Sequence, residues 1–240
     1  MYTALFWIQT LLHVLLVAWL FRIYRQTGLL AAAVLVIPQA GLVWDNGVVA
    51  AGSLIGIGAT LEALSWPRFW VHWLFGAWLI IGCGAALRLA GVRWAQARWG
   101  MLAFCLLTAA LMLYDLPHFF RDQLYPVCEK GLVRYSTVVT AERLCFEGQA
   151  ITPRSAPPYA SIITCLVVIA SGAVLLIRRR FPWMLLGGVL MLLAAAPPGM
   201  KLKLDNFGEV LITGGVIWAL AALSRGRARQ PLSRDSDHLA

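Results

Sequence analysis

Seven stretches of this chain are apolar over lengths that match the hydrocarbon core of a bilayer, and no soluble fold can bury that many. They run at about 3–22, 28–44, 69–90, 99–116, 158–177, 181–197 and 206–224. A helix rises about 1.5 Å per residue, so roughly 20 such residues reach across about 30 Å of hydrocarbon. Inside lipid a backbone must satisfy its own hydrogen bonds, which for apolar runs of this length means helix. Composition agrees: 60% of the 240 residues are hydrophobic and 13% are charged, against about 45–50% and 25% in soluble domains. The expectation is an all-α, polytopic membrane protein: a single bundle over 1–224, a basic cytoplasmic tail at 225–240, and no separate soluble domain. The first segment has neither a basic leader nor a small-residue cleavage site, so it is expected to stay as a span.

The net charge of +9 would suggest nucleic acid in a soluble protein. Here the basic residues lie in short loops between spans, where they set orientation, and no nucleic-acid partner is expected. Arg22 and Arg25 follow the first span, and Arg88, Arg93 and Arg98 the third. Arg178, Arg179 and Arg180 follow the fifth, and Arg225, Arg227, Arg229 and Arg234 the last. All four clusters fall on one side if seven segments cross and the weaker segment 47–64, "GVVAAGSLIGIGATLEAL", does not. The positive-inside rule then gives an inner (plasma) membrane protein with its N-terminus outside and its C-terminus in the cytoplasm, and makes 47–64 an outer interfacial or re-entrant helix. In that segment Gly52 and Gly56 have the spacing of a close helix contact.

On this topology nine of the eleven acids face outside, which marks the outer face as the working face. The longest polar stretch, 117–157, is also outside. It carries Cys128 and Cys145, expected to form a disulfide that staples the loop on an oxidising side.

Four groups of residues carry chemistry. In "KLKLDNFGEVLITGG", Asp205 and Glu209 are four apart, hence on one helix face, with Asn206 between them. Asp205 can cap the helix, and Glu209 then lies one turn into apolar sequence, where a charge is expensive. A carboxylic acid there can donate or accept a proton for a substrate. In "LEALSWPRFWVHW", Glu62, Arg68 and His72 meet at one membrane depth beside Trp66 and Trp70, with Pro67 read as a helix break. In "LYDLPHFFRDQLY", Asp115 and His118 are close enough for the acid to orient the imidazole. His13 lies in the middle of the first span, where a buried histidine is a functional candidate. Asp45 and Asn46 are expected to cap the 47–64 helix and to face the same outer cavity as Glu209. They echo Asp205 and Asn206: "WDNGVVAAG" against "LDNFGEVLI".

The motifs HExxH, HxxxH, GxSxG, GxGxxG and the P-loop are all missing, so no cofactor is expected, with a divalent metal at His72 and His118 left open. The aromatic residues near the outer ends (Trp44, Trp66, Trp70, Trp73, Phe119, Phe120 and Phe207) suit either an interfacial belt or a cavity that stabilises cations.

In size, seven-span layout and two membrane-edge carboxylates, the chain resembles the small membrane-bound terpene cyclases of meroterpenoid pathways. The resemblance implies an acid after the early spans and another in the last, which here would be Glu62 and Glu209 (or Asp205), protonating an isoprenoid to start its cyclisation. The expected function is therefore acid/base catalysis on a hydrophobic lipid or isoprenoid in an outer-facing cavity. Glu209, Asp205, Glu62, Asp45, His72 and Asp115 would be catalytic, and Asn46, Arg68, His118, Trp66, Trp70 and Asn206 would bind substrate. Three alternatives stand beside it. One is a proton-coupled transporter or flippase. Another is a phospholipid or polyprenyl-phosphate hydrolase or transferase that grips phosphate through Arg68, Arg121, Lys201 and Lys203. The third is an assembly factor using the 117–157 loop.

Overall fold

The computed structural model describes residues 2–137, 139–151, 158–195 and 206–228. Helix α1 (Tyr2–Thr27) and helix α2 (Leu30–Ile55) form an antiparallel pair. The chain reverses at Gly28, whose φ of 64° is open to glycine at little cost and whose amide bonds Tyr24 O at 2.8 Å. Helix α3 (Ala59–Phe75) continues through a 3-10 turn at Gly76–Trp78 into α4 (Leu79–Leu89). A short α5 (Arg93–Gln96) leads to α6 (Arg98–Asp115) and the single turn α7 (His118–Arg121). Strands β1 (Tyr125–Glu129) and β2 (Leu132–Ser136) form an antiparallel hairpin with Glu129 opposite Leu132. Its two-residue turn, Lys130–Gly131, has φ of 54° and 78°, the positive pair that matches strand twist. Helices α8 (Tyr159–Arg179), α9 (Trp183–Ala194) and α10 (Phe207–Ala228) complete the bundle.

Two expectations are corrected here. Residues 47–64 are not a separate interfacial helix: 47–55 continue α2, the chain breaks at 56–58, and 59–64 open α3. Asp45 and Asn46 therefore lie inside a helix and cap nothing. Pro67 does not end a helix either, since α3 runs through it, as α2 runs through Pro38. Membrane helices tolerate proline because neighbouring groups re-satisfy the freed carbonyl.

Among the described residues, six helical runs are long and apolar enough to cross a membrane, the longest being Ala59–Leu89 at 31 residues. Helix α9 is shorter, with 12 residues. It lies antiparallel to α10: Trp183 stacks on Trp218 at 5.0 Å, and a Cβ on Gly187 would overlap the carbonyl of Leu211. On its other side a Cβ on Gly172 of α8 would strike the Leu185 backbone. Such backbone-on-backbone packing is how helices associate where lipid supplies no hydrophobic drive. Leu20, Leu35, Ile80, Leu87, Leu175, Met184, Ile217 and Leu220 fill the interior, while Leu11, Leu15, Leu30, Leu106, Leu113 and Ile177 point outward. An outer surface this apolar is compatible with a lipid surrounding.

The two ends of the bundle differ. At one end the Arg179 guanidinium donates to Ala90 O at 3.1 and 2.8 Å, joining two of the arginine-rich connections. At the other end the β-hairpin sits on α2: Ser53 Oγ donates to Gly131 O at 2.9 Å, and a Cβ on Gly52 would overlap Val133 O. Gly52 thus makes room for a strand, not for a second helix. The disulfide between Cys128 and Cys145 is formed and ties β1 to the segment that follows the hairpin.

Candidate functional site

An acid in the middle of an apolar helix needs a partner. Asp45 finds two, both on α3. Arg68 and His72 are four residues apart, so they share one face, and that face meets α2 at Asp45. Arg68 Nε lies 2.5 Å from Asp45 Oδ1, and His72 Nε2 lies 3.2 Å from Oδ2. The Asp45 and Arg68 side chains are 4% and 6% exposed, so this is a buried ion pair rather than a surface one. A second guanidinium nitrogen, Arg68 Nη1, donates to Tyr135 O at 3.1 Å and ties the pair to β2. Trp44 Nε1 donates to Leu64 O at 3.1 Å and fixes α2 against α3 on the same level.

Glu209, in the first turn of α10, brings a second carboxylate. One ligand atom each from Asp45, His72 and Glu209 falls within 4.8 Å of the others, and among the described residues no other group has metal-ligand spacing. Glu209 Oε2 is buried and has no hydrogen-bond partner among the described residues. Asn206 Nδ2 donates to Asn46 Oδ1 at 3.2 Å, while Asn46 Nδ2 donates to Leu42 O at 2.9 Å. The two asparagines that hold equal places in the sequence echo therefore touch each other across the site.

A row of polar groups extends this cluster along α1. Gln39 Nε2 lies 2.6 Å from His13 Nδ1, and His13 Nε2 and both amide atoms of Gln9 are buried without partners among the described residues. Sequence reasoning singled out His13 but passed over Gln9 and Gln39. Their spacing was the available signal, since Gln9 and His13 are four apart on one face of an apolar helix.

Two cavities meet at Glu209. One, of about 110 Å³, is mostly apolar, with Leu35, Leu42, Val71, Ala77 and Ile212 in its wall and His72 and Gln39 at its polar side. The other, of about 310 Å³, is a polar vestibule under the hairpin, lined by Lys130, Arg134, Arg143, Glu129 and Asn206. Glu209 and Met191 belong to both walls.

Asp45, Asn46, Arg68, His72, Asn206 and Glu209 thus come together as the sequence suggests. Glu62, in the first turn of α3, has a carboxylate with no hydrogen bond or ion pair among the described residues and is not part of the group. Asp115 is buried at the end of α6. His118 pairs with Asp122 at 2.9 Å and stacks on Trp73 at 5.8 Å, so it is not drawn into one metal-spaced group with His72. Trp70 stacks on Phe119 at 5.2 Å, and Trp66 is half-buried on α3. Asp205, Lys201 and Lys203 lie outside the described residues. As a metal centre the group is compromised by Arg68, whose fixed positive charge already occupies Asp45. As a proton-handling site it is well composed: an oriented imidazole, an anchored carboxylate and a second carboxylate with a free oxygen. No family model, curated protein or solved structure matches this chain.

Proposed function

We propose that this chain is a membrane enzyme acting on an amphipathic lipid or isoprenoid by acid/base chemistry, with Glu209 as the proton-transferring group and the His72–Asp45 pair behind it. One observation carries the reading: Glu209, with an oxygen unpartnered among the described residues, stands where a polar vestibule meets an apolar cavity. A substrate with a polar head and an apolar chain would place its reacting atoms there. Glu209 would give a proton to the substrate and take one back as product forms, with His72 orienting the carboxyl. Proton-initiated cyclisation, the reaction that the terpene-cyclase resemblance implies, needs this exchange and no net oxidant or reductant. Asp45 and Arg68 would be positioning residues. The working topology is seven crossings, counting α9, in the plasma membrane, with the hairpin outside and the arginine-rich end in the cytoplasm.

The test is mass spectrometry of lipid and isoprenoid extracts from cells lacking the gene, cells with it, and cells with Glu209→Gln at equal protein level. A compound present only with the intact protein supports the reading, and identical profiles reject it. Proton-coupled transport is the second reading, favoured by the buried row Gln9, His13 and Gln39, which carries polar groups from the site into the bundle. It expects a flux that collapses with the pH gradient and with His13→Leu, whereas catalysis in detergent needs no gradient.

A further inference from the structure

The vestibule wall carries positive charge that the described residues leave unbalanced. Lys130, Arg134 and Arg143 line it, with Glu129 beside them and Glu209 at the floor. Glu129 answers Lys130 and Arg143 only loosely, at 3.8 and 3.6 Å. Lys130 also sits over the ring of Tyr2 at 5.0 Å. Arg134 is half-buried and has no hydrogen bond or ion pair among the described residues. Its burial pushes the guanidinium below its usual range. A partly desolvated cation without a partner is unfavourable until an anion completes it.

The frame that presents these cations is covalently closed. Arg134 lies on β2 opposite Val127, which also bridges to Leu144. The disulfide next to Val127 joins Cys128 to Cys145, two residues past Arg143. Among the described lining residues, three cations set against Glu129 leave two net positive charges when Glu209 is protonated and one when it is ionised, which suits the dianion or the monoanion of a phosphate monoester. Guanidinium forks match phosphate oxygens bidentately.

We propose that the vestibule binds a phosphate ester through Lys130, Arg134 and Arg143. The proposal rests on the reading of the substrate as amphipathic: phosphate in the vestibule, apolar chain in the cavity below, Glu209 between. It replaces Arg68 as the phosphate ligand, because Arg68 is committed to Asp45 and Tyr135 O.

The full-length protein in an uncharged maltoside detergent is titrated by calorimetry with dodecyl phosphate, inorganic phosphate and dodecanol. Dodecyl phosphate is expected to bind, at least tenfold more weakly to Arg134→Gln and to Arg143→Gln, and with a smaller loss for Arg134→Lys. Arg143 has a side chain 52% exposed, so its variant keeps the test open even if Arg134→Gln does not fold. Inorganic phosphate binding as tightly as dodecyl phosphate, with the same arginine dependence, assigns the site to a soluble phosphate. Dodecanol binding as well as dodecyl phosphate, or affinity unchanged in both glutamine variants, overturns the proposal. Glu209→Gln separates the two readings. Arginine-dependent binding with a cell extract indifferent to Glu209→Gln sinks the acid/base reading alone. A Glu209-dependent product with arginine-independent binding sinks the phosphate site alone.

Discussion

Asp45 and Glu209 are both carboxylates at one site, yet they should answer mutation in opposite ways. Asp45 is locked between Arg68 and His72. Asp45→Asn leaves the Arg68 charge buried without its counter-ion, a change that typically costs about 3–5 kcal/mol. A marked drop in the thermal unfolding midpoint in detergent is expected, and an unchanged midpoint would mean that the pair is not formed. Glu209 Oε2 has no hydrogen bond to lose among the described residues. Glu209→Gln should therefore change stability by no more than about 1 kcal/mol, in either direction, while abolishing product. A variant that is inactive only because it unfolds would remove Glu209 from the acid/base role. These residues were legible in the sequence because a charge within apolar sequence is conspicuous on its own. Arg134 was not, and Gln9 was legible only through its spacing from His13. The importance of Arg134 appears only when the hairpin folds over the helix ends, and that of Gln9 only when α2 supplies no partner.

At the scale of elements, the apolar runs located every long helix, and the errors sit at their edges. Asp45–Asn46 carries the residue types of a cap, and Pro67 those of a break, but tertiary partners override both. Arg68 satisfies the carboxylate sideways, so α2 has no need to end there. The hairpin was beyond reach because the 117–157 loop pairs its strands locally and then docks on glycine. Gly52 is that dock, with the Val133 carbonyl filling the place of a side chain. Gly52→Leu should push the hairpin off α2 and break the Ser53–Gly131 contact as well. Limited proteolysis is expected to cut the 125–145 segment several-fold faster in this variant, and equal rates would show that the hairpin holds without α2. Replacing Cys128 and Cys145 by serine together removes a closure spanning 17 residues. By loop entropy that costs about 3 kcal/mol. The loss should fall on the hairpin rather than on the helices, read as faster amide exchange at β1 and β2 with α4 and α10 unchanged.

At the scale of the whole molecule, the proposed seven-crossing topology turns on α9. Its 12 residues span only about 18 Å at the usual helical rise, less than the hydrocarbon core. Yet its neighbours make it run the depth between Trp218 and Gly208 of α10, and Glu209 stands at the hairpin end of α10, beside Asp45. If α9 crosses, α10 returns to the arginine-rich side. In a background with Cys83, Cys105 and Cys165 replaced by alanine, Glu147→Cys is expected to react with an impermeant maleimide in sealed right-side-out vesicles. Arg93→Cys and Arg225→Cys are expected to react only after permeabilisation. Labelling at Arg225→Cys in sealed vesicles would mean six crossings, with α9 dipping in and out from one face. That outcome would move Arg225 to the side of Glu147 and leave the Arg93 connection opposite it. The positive-inside argument would then fail for the last span alone. Glu209 would then enter from the arginine-rich side and could not share a depth with Asp45, which their approach within 4.8 Å opposes. The labelling pattern at Arg225 therefore tests the topology and the integrity of the site together.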